Sequence, residues 1–286
     1  MSAIRLEERS DRVVVLTLDQ PNSRANILSA GLWAELEAAL APLRSRTDLA
    51  GLVVASAKPG IFIAGADLKF FLNLPGPDDP TCRELVEQGL RTLALLESLP
   101  FPTCAAIDGA ALGGGLEVAL ACDFRIVGDN PKVELGLPET KLGLIPGWGG
   151  TQRLPRVICV AETAHALTTG GNLLDLMDDP FDLIETECAS DLLIDVCADH
   201  VKAGKARSVE RRTAKAAPVP LAEWGHWPGP VPADPVAVRE AVTAMRDGGQ
   251  LPLDDGLTLE TEAFLRVAGS AEAKRLIGEF FASRKR

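Results

Sequence analysis

Glu117 and Glu139 are the residues of this 286-residue chain whose neighbours best suit them to move protons. Glu117 follows three consecutive glycines, Gly113, Gly114 and Gly115, and opens an amphipathic segment after a short apolar run. Consecutive glycines let bare backbone approach a ligand, and the first amides of a helix have no internal partner and so can hold a negative oxygen. The pattern is that of an oxyanion site with a carboxylate beside it. Glu139 stands next to Pro138 and ahead of a glycine-dense stretch containing Gly143, Gly147, Gly149 and Gly150. Two glutamates on separate rigid turns can lie on either side of one water molecule. Adding H–OH across a double bond requires that arrangement, because one group removes a proton while the other supplies one. Either glutamate alone is more often a solvated surface acid. The turn Ala64-Gly65-Ala66-Asp67, which closes the apolar run 61–63, offers the N–H of Ala66 as a second donor; an ordinary tight turn is its plain alternative. A dinucleotide-binding loop fits poorly, since the run 113–118 lacks Gly or Ala at its sixth place and sets an acid where pyrophosphate would sit.

The elements that must position these residues alternate. Val13–Leu18 and 51–55 read as β-branched strands, the second followed by the breaker Pro59-Gly60. Between them Ser29 can cap a helix whose Leu32, Trp33, Leu36 and Leu40 recur at helical spacing. Residues 82–99 repeat the helical pattern, and 104–107 and 124–127 return to strand, which together favour an α/β layer architecture. From about Arg156 helical patterns take over. Prolines and tryptophans cluster at 216–235, a density that argues against a helix and for an extended connection. Residues 257–281 read as helix again. A basic cluster at its end, Lys274, Arg275, Arg284, Lys285 and Arg286, can meet a phosphorylated ligand, but complementing the helix dipole is the simpler use.

Composition narrows the function classes. With 47% hydrophobic residues the chain can bury a full core. Its 29 basic and 40 acidic residues leave a net charge of −11, which disfavours nucleic acid or an anionic membrane as the main partner. No apolar run approaches the ~18 residues of a membrane span. The opening residues lack a signal-peptide pattern, so the expectation is a cytoplasmic protein. Six cysteines without a Cys-x-x-Cys pair read as buried reduced thiols. His165, His200 and His226 share no ligand spacing, so no metal is expected, and His165, on an apolar helical stretch, reads as packed.

Taken in order, these elements resemble the enoyl-CoA hydratase/isomerase (crotonase) superfamily. The match runs through 21–26 with Leu28, the 64–67 turn, the block 108–117, Pro138-Glu139 through 150–155, and 255–260 into the last helix. The resemblance implies a crotonase-like spiral of strand-strand-helix units, with a core over 1–200. A helical carboxy-terminal region over 201–286 would then pack between subunits in homotrimers or homohexamers. It implies that the N–H groups of Ala66 and Gly114 hold a thioester oxygen and that Glu117 and Glu139 position and activate water. Gly147 would help hold that water by its backbone, while Ala64, Gly65, Asp67, Gly113 and Pro138 would line the acyl-CoA site. The reaction implied is reversible hydration of a trans-2-enoyl-CoA, with coenzyme A entering as part of the substrate and no cofactor. Isomerisation of a 3-enoyl-CoA and non-catalytic acyl-CoA binding are the alternatives. The sequence departs from the family between 173 and 200, a region that shapes the acyl pocket in relatives; the proline-rich stretch looks closer to the hydratase part of multifunctional fatty-acid oxidation proteins.

Overall fold

A computed structural model describes residues 2–177, 179–224 and 235–284. Its elements in chain order begin with β1 (Ile4–Glu8), β2 (Val13–Leu18), α1 (Ala30–Leu40), β3 (Gly51–Ser56), β4 (Gly60–Ile63), α2 (Leu68–Asn73), α3 (Pro80–Glu97), β5 (Thr103–Ile107), β6 (Gly109–Leu112) and α4 (Gly114–Ala121). There follow β7 (Phe124–Gly128), β8 (Glu134–Gly136), α5 (Gly150–Arg153), α6 (Val160–Thr169), α7 (Leu173–Leu176), β9 (Thr186–Cys188) and α8 (Leu193–Ala203). Helices α9 (Lys205–Ala216), α10 (Leu221–Trp224), α11 (Val236–Gly249), α12 (Leu253–Val267) and α13 (Ala271–Ser283) close the chain. The class is α/β with a helical carboxy-terminal region, as the sequence leads one to expect.

The chain gathers into two compact units. The first comprises Met1–Ala66, Gln88–Leu135 and Asp178–Ala214. Its main sheet has the order β1-β2-β3-β5-β7-β9, antiparallel between β1 and β2 and parallel from β2 onward. Parallel strands are covered on both faces, which is why β2 reads as an unbroken Val-Val-Val-Leu run and not as an alternation. On one face Val13, Val15, Val53, Ala55, Cys104, Ala106, Phe124 and Ile126 meet Leu193, Cys197, Ala198 and Val201 of α8. Each Val, Leu, Ile or Phe side chain among them, fully buried, contributes about 1.5–3 kcal/mol. Helix α1 starts where expected: Ser29 Oγ accepts the Leu32 N–H at 3.3 Å, and Leu32, Trp33, Leu36 and Leu40 are buried. A three-stranded sheet takes the order β4-β6-β8, with β4 and β6 parallel.

The second unit comprises Asp67–Glu87, Gly136–Met177 and Lys215–Arg286. Here α12 packs against α11 and α5, and α13 against α2 and the 3-10 turn Pro138–Leu142. Phe71 of α2 meets Phe264 of α12 edge to face at 5.7 Å, and Arg83 pairs with Glu262 at 2.8 Å.

Several sequence expectations are corrected. His165 is exposed on α6, because the apolar stripe of that helix is carried by Val160, Ala164, Ala166 and Leu167. Cys159 is exposed as well, its sulfur accepting the Glu162 N–H as the cap of α6, and Cys188 is half-buried on the outermost strand. All six thiols are free, and Cys82, Cys104, Cys122 and Cys197 are buried. The helical reading of 257–281 is two helices, broken at Gly269, whose φ of 75° is open to a residue without Cβ. Within the proline-rich stretch Leu221–Trp224 forms one helical turn, since the four residues after Pro220 contain no proline. The remainder of that stretch, 225–234 with His226, lies outside the described residues, as do Asp178, Lys285 and Arg286.

Candidate active site

In the first unit the glycine triplet becomes the start of α4. Gly113 is the cap, at φ 55° and ψ −125°, a conformation that side chains other than hydrogen make costly. The N–H groups of Leu116 and Glu117 return to the Gly113 carbonyl at 2.8 and 3.1 Å. Gly114 is therefore in the first turn, where helix geometry leaves the amide without a carbonyl four residues back. Glu117 is 1% exposed, in the same first turn, where the dipole favours a negative charge.

The Ala66 turn is built against this helix start. Ala64 N–H donates to the Asn26 carbonyl and Leu28 N–H to the Gly65 carbonyl, both at 2.9 Å, and Leu28 and Ala66 form a parallel bridge. In such a bridge the bonds run through the flanking residues, so the Ala66 N–H is turned to the other side of its strand. A Cβ on Gly65 would come within 3.2 Å of the Leu112 carbonyl oxygen, and one on Gly115 would collide with the Ile63 carbonyl. Ala66 and Gly114 thus sit on adjoining turns whose spacing is fixed by side-chain-free contacts. Asp67 spends its carboxylate as the cap of α2, accepting the Lys69 N–H at 3.1 Å.

In the second unit Pro138 opens the 3-10 turn that carries Glu139. The turn is tied to the end of α6: Thr140 Oγ1 donates to the Leu167 carbonyl at 2.9 Å and Lys141 Nζ to the Gly170 carbonyl at 2.8 Å. Glu139 is half-buried, but its Oε2 is sealed from solvent and has no hydrogen-bond partner among the described residues. Burial first, and the charge of Glu260 second, push its carboxyl up to about 8. Gly147 is buried with no room for a side chain, since a Cβ would lie 2.8 Å from the Phe264 ring.

Glu260 belongs to the sequence match at 255–260, yet sequence reasoning assigned it no role. It is fully buried, and it accepts the Gly149 N–H at 2.5 Å, the Thr151 N–H at 2.8 Å and the Thr151 hydroxyl at 2.5 Å. Burial raises its proton affinity, while these three donors and the nearby guanidinium of Arg153 oppose that rise. Backbone N–H groups can only donate, and three donors with one cation fit a carboxylate and not a carboxylic acid. Both carboxyls are raised, Glu260 to about 7 and Glu139 to about 8, and with these partners Glu260 is the one of the two that more readily holds the negative charge. Arg153, fully buried, donates to the Trp148 carbonyl at 2.8 Å. A signal was present in the sequence: Glu260 falls at helical spacing among Gly256, Ala263, Phe264 and Val267, an acid on an apolar stripe.

Among the described residues no group of three or more His, Cys, Asp or Glu side chains is arranged to hold a metal ion, and no helix is long and apolar enough to cross a membrane.

The sequence model of the family described as enoyl-CoA hydratase/isomerase matches residues 8–174. The chain is 34% identical, over 98% of its length, to the fatty acid oxidation complex subunit alpha of Vibrio vulnificus, and spans 41% of that relative. Among solved structures it resembles an enoyl-CoA hydratase from Bacillus anthracis, with 31% identity and a TM-score of 0.62 over 100% of this chain and 97% of the other. A carnitinyl-CoA dehydratase from Mycobacterium thermoresistibile shares the fold, with 19% identity and a TM-score of 0.75 over 98% and 90% of the two chains.

Proposed function

The chain belongs to the enoyl-CoA hydratase/isomerase family, and from that premise we propose that it is an enoyl-CoA hydratase, adding water reversibly to a trans-2-enoyl-CoA to give a 3-hydroxyacyl-CoA. The observation that carries the reading is the pair of glutamates with different settings: Glu117, buried in the first turn of α4, and Glu139, held near neutrality by burial and by a neighbouring anion. In this mechanism the N–H groups of Ala66 and Gly114 hold the thioester oxygen and stabilise the enolate that forms as the water oxygen bonds to the β-carbon. Glu139 is the main proton-transfer residue. A carboxyl titrating near the working pH exchanges a proton efficiently in both directions, as a reversible hydration needs. Glu117 orients the water, and the backbone at Gly147 helps hold it; Ala64, Gly65, Asp67, Gly113 and Pro138 line the acyl-CoA site. No metal or redox cofactor is invoked, and coenzyme A arrives as the thioester.

The family premise supports two further parts of the reading, a cytoplasmic homotrimer or homohexamer, which light scattering with sedimentation would resolve. The test of the reaction is loss of enoyl-thioester absorbance over a panel of chain lengths. Turnover by the wild type that survives unchanged in Glu139→Gln would overturn the mechanism, and no turnover on any chain length would overturn the reaction.

A further inference from the structure

Three residues of α12, each four positions from the next, meet successive parts of the 147–152 loop in reverse order. Gly256 lies flush against the Gln152 side chain, Glu260 takes the amides of Gly149 and Thr151, and Phe264 closes on Gly147. Positions four apart share one helix face, so this face of α12 is a template along which the loop is laid. Glu260 is its one charged member.

We propose that Glu260 is a positioning residue: its buried carboxylate sets the 147–151 loop and places a negative charge beside which Glu139 works. What Glu139 does with its proton rests on the hydratase reading; the placement of loop and charge does not.

The surroundings single out that charge. On α5 and just after it, Arg153 and Arg156 carry positive charge toward Glu260; Arg156 spends its donors on the carbonyls of Gln152, Ala217 and Leu251. Elsewhere on α12, Glu262 pairs with Arg83 and Arg266 with Glu240, and Asp254 and Asp255 are exposed. On α11, Arg239 and Arg246 pair with Glu240 and Asp247. Of the elements against the Glu139 turn, α6 carries Glu162 and the exposed His165, and α13 the surface set Glu272, Lys274, Arg275 and Glu279. Lys141, on the turn itself, is committed to the Gly170 carbonyl. Glu260 is the group whose charge raises the Glu139 carboxyl after burial has done so.

The experiment follows Glu139 by its side-chain carboxyl 13C resonance, assigned through its loss in Glu139→Gln, and follows the loop by amide hydrogen exchange. The wild type, Glu260→Gln and Thr151→Val are compared, with the titration repeated in a Glu117→Gln background to remove that second acid. In Glu260→Gln the Glu139 titration is expected to move down by about one pH unit, as loss of a neighbouring like charge dictates. Exchange over 147–153 is expected to accelerate by about tenfold or more, since each opened amide hydrogen bond is worth about 1.4 kcal/mol or more beside a charge. Thr151→Val keeps the charge and removes one donor, so exchange accelerates while the Glu139 titration stays. If the hydratase reading holds, kcat falls by about 10²-fold in Glu260→Gln with KM little changed, as for a misplaced catalytic group. A folded Glu260→Gln in which Glu139 titrates at the wild-type pH overturns the charge role and leaves Glu260 merely structural. Unchanged exchange in Thr151→Val overturns the loop role, and remains decisive if Glu260→Gln does not fold. A wild type that hydrates nothing sinks the hydratase reading, while titration and exchange still decide for or against Glu260.

Discussion

Two regions of this molecule hold a glutamate away from water, and the two carboxyls depart from their ordinary range in opposite directions. In the first unit the Glu185 side chain is 6% exposed, and burial alone would raise it. His200, Arg211 and Arg207 outweigh that effect and hold it at about 2. Arg207 approaches at 2.5 Å and His200 at 3.4 Å, and both arginines also stack over the Phe124 ring. In the second unit Glu139 is shielded similarly but its charged neighbour is Glu260, so burial and charge act together and carry it up to about 8. Burial, common to both, does not set the direction of the shift. The sign of the nearest charge does: cations lock Glu185 in one protonation state, and an anion leaves Glu139 poised to change its own.

The largest effect expected from this contrast is on turnover. Glu139→Gln keeps shape and removes the titrating group, so hydration should fall by on the order of 10³-fold with little change in acyl-CoA affinity; stopped-flow turnover and ligand-dependent thermal shift would check both. Glu117→Gln should cost hydration about 10²-fold. Isomerisation of a 3-enoyl-CoA, which needs one base, should survive that change better; equal losses on the two substrates would undo the division of labour.

Glu185→Gln sharpens the comparison from its other side. It should leave turnover intact and cost about 2 kcal/mol of stability at pH 7, a value kept modest because Arg207 and Arg211 are partly solvated. The sign follows from a folded pKa depressed below the unfolded one: the contribution is present above about 4.5 and is lost as pH falls toward about 2. Denaturant midpoints of wild type and variant should therefore converge in acid. For Glu139 the sign reverses. Its folded pKa is raised, so its contribution holds below about 4.5 and fades as pH rises through about 8. Glu139→Gln should match the wild type in acid and exceed it by on the order of 1 kcal/mol above pH 8. A variant less stable than wild type at pH 9 would show that Glu139 is not strained by its site.

What the sequence made legible follows the physics of each element. Strands β2, β3, β5 and β7 stood out because parallel strands buried on both faces must be continuously apolar. Strands β1, β6, β8 and β9 escaped notice, being polar as in Ile-Arg-Leu-Glu-Glu, rich in Gly and Ala as in Gly-Ala-Ala-Leu, or only three residues long, and β4 was noticed only as the short apolar run 61–63. On the site, the glycine triplet, Ala66, Glu117 and Glu139 were singled out by local type and spacing. The environments of Glu139 and Glu185 were not legible, because Glu139 owes its state to burial and then to Glu260 on a distant helix, and Glu185 owes its own to His200 of α8 and the arginines of α9. Local pattern names a carboxylate; tertiary neighbours decide what it is for.

The bond between Gly149 and Glu260 spans 111 residues. At ribosomal speeds of ~5–20 residues per second, Glu260 is synthesised roughly 6–20 s after the loop it fastens. When that interval opens the strands β1 to β7 are already synthesised, and β9 follows within it, while the Gly149 and Thr151 amides still await their acceptor. The nascent chain thus acquires its backbone donors at α4 early, and its loop anchor among the last contacts to form.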